Sequence, residues 1–92
     1  MITAFLLVRC VPQRIHAVGQ ALAEIGGIAE VYTTTGSTDF IAVVRVPDLD
    51  ALAELVTTHI STLDGIVGTD THLAMRSYSR RDVETAFDLG VD

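Results

Sequence analysis

Lysine, asparagine and tryptophan are absent from this 92-residue chain, and cysteine occurs once. The missing lysine matters most for charge. Six arginines stand against twelve Asp and Glu, a formal net charge of -6. Nucleic-acid binding runs on cationic contacts to phosphate, so the balance argues against direct contact with DNA or RNA. The basic cluster Arg76, Arg80 and Arg81 is too small to line a groove. A single cysteine, Cys10, excludes an intramolecular disulfide, and no Cys/His cluster offers a structural zinc site. Taken together, the three missing residue types read as a compositional bias and carry no function.

Long hydrophobic runs are missing too. The apolar opening Ile2–Val8 falls far short of the roughly 20 residues of a membrane span. It has neither the basic leader nor the small-residue cleavage site of a signal peptide. These features predict a cytoplasmic protein with no membrane partner, and the free Cys10 suits a reducing compartment.

What remains is unusually apolar for its size, with 49% hydrophobic residues. The length predicts one domain, 1–92, with a core fold over 1–76 and a tail over 77–92. Small domains bury a modest share of their surface, so the surplus predicts apolar surface shared between subunits. The run Ile2–Val11, stopped by Pro12, reads as a strand. Ile15, Val18, Leu22 and Ile25 then form one helical stripe, ended by Gly26-Gly27. The β-branched run Ile28–Thr35 reads as a second strand, Gly36–Asp39 as a turn, and Phe40–Val46 as a third strand before Pro47. A second helix is expected from a cap at Asp48 or Asp50, with a stripe of Leu49, Leu52, Leu55/Val56, Ile60 and Leu63. Ile66–Met75 reads as the fourth strand. The pattern of Arg80–Leu89 predicts a short amphipathic C-terminal helix.

The order βαββαβ contains an internal echo. Val8-Arg9-Cys10-Val11-Pro12 resembles Val44-Arg45-Val46-Pro47, and Ile25-Gly26-Gly27-Ile28 resembles Leu63-Asp64-Gly65-Ile66. Two interleaved strand–helix–strand units of this kind predict an α+β, ferredoxin-like fold, with two helices on one face of a four-stranded antiparallel sheet. The strands have no polar face. Phe5, Leu7, Ile41 and Val43 oppose Leu6, Val8, Ala42 and Val44, whereas a sheet with one wet face should alternate cleanly. Two helices dry only one side, which predicts a second subunit packed sheet to sheet.

Little in the chain points to catalysis. His16, His59 and His72 lack a carboxylate or second histidine at helical spacing, so no metal pair is expected. Cys10 has no neighbouring histidine and reads as a buried, inert thiol. No P-loop or dinucleotide fingerprint is present, and no cofactor is expected. The informative segment is Thr33-Thr34-Thr35-Gly36-Ser37-Thr38-Asp39. It can be read as a hairpin with a polar turn, Asp39 capping it. It can also be read as a small-anion cradle of backbone N–H groups, with Asp39 meeting an ammonium, which together suit an amino-acid zwitterion.

The stretch Glu30–Ile41, an aromatic followed by T-G-x-x-D and an apolar strand, resembles the ligand-binding (RAM) domain of the leucine-responsive regulatory protein/AsnC family. Leu63-Asp64-Gly65-Ile66-Val67 with Thr69 and Thr71 is similar to that family's L-x-G-V-x-x-T-x-T. The resemblance covers about Met1 to Arg76. It implies a non-enzymatic module of transcription regulation that starts at the first strand of the ligand domain, without the family's DNA-binding part. It implies homodimers joined through their sheets and assembled into a larger ring of dimers, with full-length regulators of the same family as further partners. It implies an amino-acid effector at the contacts between dimers. Carried over residue by residue, the site is Thr35, Gly36, Ser37, Thr38 and Asp39, with Thr71, His72 and Leu73 from the fourth strand. The family loop often carries an acid and an aromatic where this chain has Ser37 and Thr38, which alters the side-chain pocket. Two other readings stay open. One is a small dimeric α/β-barrel oxygenase-like enzyme, disfavoured by the absence of Asn and Trp. The other is a purely structural oligomerisation module.

Overall fold

A computed structural model describes residues 1–80 of the chain. The elements run β1 (Ile2–Cys10), α1 (Ile15–Glu24), β2 (Ile28–Thr33), β3 (Phe40–Val46), α2 (Leu49–Glu54) and β4 (Ile66–Leu73). The sheet order is β2-β3-β1-β4, with every neighbouring pair antiparallel. This is the expected ferredoxin-like α+β fold. The C-terminal helix expected over Arg80–Leu89 lies, beyond Arg80, outside the described residues.

Period-two alternation sorts the two central strands. Ala4, Leu6, Val8 and Cys10 of β1 and Phe40, Ala42, Val44 and Val46 of β3 join Val18, Leu22, Leu52, Leu55 and Ile60 in one buried core. The register Leu6↔Ala42 and Val8↔Phe40 sets small against large across the strands, and Gly19 leaves room for the Phe40 ring beneath α1.

The two halves leave their helical segments by the same device. Gly27 and Gly65 both hold φ near +100°, at 99° and 97°, a conformation that favours glycine. Each then ties to the other half: the Gly27 carbonyl accepts from Arg45 N at 2.8 Å and the Gly65 carbonyl from Val11 N at 2.9 Å. The internal echo in the sequence is therefore a pair of equivalent latches.

The second helical segment departs from a regular stripe. Asp48 caps α2, accepting from Ala51 N at 2.9 Å. After Glu54 the chain widens into a π-type turn over Leu55–Ile60, closed by Ser61 N donating to the Val56 carbonyl at 3.2 Å. Thr57 and Thr62 hydroxyls bond back to the carbonyls of Ala53 and Thr58 at 2.7 and 2.8 Å, and such bonds compete with the backbone ladder. Leu49, expected in the stripe, is 59% exposed.

The opposite face of the sheet presents Thr3, Phe5, Leu7 and Arg9 of β1 with Ile41, Val43 and Arg45 of β3. Phe5 is 41% exposed there, and Leu7 and Ile41 are half-buried. Neither described helix packs over this face.

Candidate functional site

The loop between β2 and β3 is held by its ends. Thr34 N donates to the Asp39 carbonyl at 3.0 Å, and the Thr34 hydroxyl donates to the Thr38 carbonyl at 3.0 Å. The loop is also bonded to β1. The Thr38 hydroxyl lies 3.0 Å from the Val8 carbonyl and 3.2 Å from that of Phe40. Asp39 N donates to Val8 O at 2.9 Å, and its carboxylate Oδ2 accepts from Cys10 N at 2.9 Å.

Between these anchors the backbone is open. Thr35, Gly36 and Ser37 are exposed. Gly36 holds φ 98° with nothing within 4 Å of where a Cβ would stand, so glycine is required by conformation and not by space. Among the described residues, the amides from Thr35 to Thr38 donate no hydrogen bond. Successive unpaired N–H groups around a left-handed glycine can receive a small anion.

The structure brings this loop to a part of β4 that sequence reasoning did not select. Ser37 and Thr38 line a pocket of about 220 Å³ with Leu7, Arg9, Thr69 and Asp70. Thr71, His72 and Leu73 pair with Leu6, Phe5 and Ala4, farther along β1 from the loop. They are exposed on the edge strand, and nothing joins them to Thr35–Asp39 within one described chain. His72 Nε2 lies 2.9 Å from Asp70 Oδ2. The clue to Arg9 was available in the sequence: it is the lone charge in the apolar run of β1.

Asp39 has a structural role in the geometry, with one carboxylate oxygen spent on a backbone amide. The buried Cys10 thiol beside it is pushed above the ordinary thiol range by burial first and by the Asp39 charge second. A thiol held neutral is a poor nucleophile. On the open face the Tyr32 hydroxyl donates to Glu30 at 2.5 Å, which raises the phenol's pKa. The groove between α1 and β2, about 430 Å³, is floored by Ile15, Gly19, Val31 and Phe40, with His16 its one titratable group.

The family model described as Lrp/AsnC ligand binding domain matches residues 3–84. The chain belongs to this family. Its Lrp/AsnC domain is similar to TTHA0845 of Thermus thermophilus, with a TM-score of 0.84 and 46% identity over 87% of this chain and 100% of that one. It is 29% identical over 80 residues to the HTH-type transcriptional regulator YugG of Bacillus subtilis, covering 84% of this chain and 48% of YugG. The chain spans about half the length of the curated relatives it matches. The Lrp/AsnC fold is shared with the Neisseria meningitidis regulator NMB0573 in its complex with L-Met, with a TM-score of 0.79 and 14% identity over 86% of this chain and 53% of that one. The curated relatives of this Lrp/AsnC domain are HTH-type transcriptional regulators. No described helix is long and apolar enough to cross a membrane.

Proposed function

We propose that this domain is an oligomeric, non-enzymatic module of the cytoplasm that binds an amino-acid effector and acts on transcription through protein partners. The observation that carries the reading is the β2–β3 loop, closed across its ends by Thr34 and pinned to β1 through Thr38 and Asp39, while the amides from Thr35 to Thr38 stay unpaired. A carboxylate resting on those amides replaces their water without any rearrangement of the loop, the kind of pre-organisation that favours binding. The L-Met complex of the Neisseria fold neighbour supports amino acids as the ligand class.

Thr35, Gly36, Ser37, Thr38 and Asp39 form one half of the site, with Asp39 holding the loop in place. Thr71, His72 and Leu73 border it from a second copy of the chain, since one copy does not bring them to the loop. The open sheet face, with Phe5, Leu7, Ile41 and Val43, is the surface on which copies pair, and dimers assemble further into a ring. Full-length regulators of the family are the partners such an assembly would recruit. The α1–β2 groove holds one imidazole and no carboxylate, which supports the non-enzymatic reading over the oxygenase-like one. A second reading, a structural oligomerisation module, draws support from the Asp39–Cys10 bond, because that bond gives the loop a purely architectural task.

Titration calorimetry against the twenty amino acids separates the two. Saturable binding of at least one, with a matching rise in melting temperature, is the expected result. Absence of heat and of stabilisation for all twenty would leave only the architectural module.

A further inference from the structure

Among the described residues, the helix face of the sheet has an uncovered margin. α1 lies against β2 and α2 against β3, and neither packs extensively along the edge strand β4. Register sets Thr69, Thr71 and Leu73 of β4 opposite Val8, Leu6 and Ala4, so their side chains share the face of the buried core. The three β1 residues are fully buried, whereas Thr69, Thr71 and Leu73 are exposed. The other wall is the second helical segment. Val56 and Ile60 there meet Ile66 and Thr69 around a cavity of about 380 Å³. Leu49, two helical turns before Val56 and so on its side of the segment, is also exposed. An apolar trough therefore runs along β4, from the end where the chain leaves the sheet at Leu73 to the cavity near Ile66.

Twelve residues follow Arg80 in the sequence, and they carry a matching surface. Val83, Ala86 and Phe87 fall at spacings of three and four, flanked by Asp82, Glu84 and Asp88, the pattern of an apolar helical stripe with an acidic border. Reach decides whether this stripe can meet the trough. The connection Ala74–Ser79 has six residues, within the range that joins strand and helix in compact folds. A helix over Arg80–Leu89 extends about 15 Å, and the distance along β4 from Leu73 back to Thr69 is about 13 Å.

We propose that the C-terminal segment folds back along β4 and seats Val83 and Phe87 in this trough, against Leu49, Val56 and Leu73. Tethering at Leu73 makes the contact intramolecular, at an effective concentration of order millimolar for a short connection. That favours the chain's own segment over the same segment of a second copy. The seat gives Leu49 and Leu73 a packing role that α2 and β4 alone do not supply.

The test is a cycle of variants in the full chain, Leu73→Thr, Phe87→Ala and the two combined, read by thermal melts. Threonine keeps the strand preference of position 73. Each single variant should lower the melting temperature by about 4–8 °C, the scale of a modest loss in a domain this small. The combined variant should fall no lower than the worse single, because both remove one shared contact. Additive losses, or a Phe87→Ala chain that melts like wild type, would overturn the proposal. Wild-type NMR supplies the second readout. NOEs from the Phe87 ring should reach the methyls of Leu49, Val56 and Leu73, and should vanish from an isotope-filtered spectrum of mixed labelled and unlabelled chains. Cross-peaks between chains would assign the trough to a second copy's segment. Contacts from Phe87 to Phe5 or Ile41 would place the segment on the open face. Either result would overturn the proposal.

Discussion

The two faces of the sheet are cut from the same strands and differ in what covers them. On β1, Ala4, Leu6 and Val8 are fully buried beneath the helices, while their neighbours Phe5, Leu7 and Arg9 look the other way, onto a face that no described helix covers. The helix face is closed over β1 and β3, with no buried polar side chain among the described residues. The open face mixes apolar side chains with Arg9, Asp70 and His72, and the β2–β3 loop meets the sheet at its edge. Stability is stored on one side, and the proposed self-association belongs to the other.

That division is broken most severely from the core. Leu6→Ala should destabilise the fold by about 2–5 kcal/mol, measured by urea unfolding. Phe5→Ala, one residue away, should leave the melt of the dilute protein nearly unchanged and instead weaken self-association in sedimentation velocity. Equal stability losses from both would mean that the faces are not distinct.

Asp39 is the next probe, because it belongs to the fold as much as to the loop. Asp39→Ala leaves the Cys10 amide without its acceptor, and an unsatisfied group of this kind costs about 1–3 kcal/mol. A lowered melting temperature is the expected result. A variant as stable as wild type would show that the Asp39–Cys10 bond carries no weight.

Gly36→Ala tests backbone conformation with no steric complication, since nothing lies near its Cβ position. A non-glycine residue in left-handed backbone costs about 1–2 kcal/mol. The expected outcome is a loss in that range, with weaker amino-acid binding as the turn amides are re-aimed.

The smallest effect is in pH. Cys10 is harder to ionise when folded than when unfolded, because of burial and then the Asp39 charge. Its contribution to stability is therefore complete below the unfolded thiol pKa of about 8.5. It is lost as pH rises from there through the folded value. Melts from neutral to alkaline pH should show a decline that Cys10→Ala removes. An identical alkaline decline in that variant would place its origin elsewhere.

Much of this architecture was legible in the sequence because its signals were local. Phe40–Val46 was bounded by Asp39 and Pro47 and appears with those limits. Repeated Pro entries and Gly exits announced the two halves, and Asp48 caps as one of the two aspartates expected to do so. Strand ends were less legible. β2 stops at Thr33 and not Thr35, since Thr34 turns its backbone and hydroxyl to closing the loop. β4 stops at Leu73 and not Met75, although Ala74 N still reaches the Thr3 carbonyl at 2.9 Å. The π-type turn escaped the helical stripe because hydroxyl back-bonding leaves no mark in an apolar periodicity. In the candidate site, the loop was visible as a motif. Its β4 companions Thr69 and Asp70 were not, because strand register decides which residues of β4 lie beside it, whereas Arg9 stood out as the lone charge of β1.

Amino-acid recognition by the loop and its edge of the open face is the central claim. An amide NMR titration with each of the twenty amino acids examines it residue by residue. The predicted result is saturable shifts at Thr35 to Thr38, with Leu6, Leu22 and Ile60 in the core unmoved. Shifts confined to the groove beneath α1, or a loop that stays silent while amino acid binds elsewhere, would contradict it.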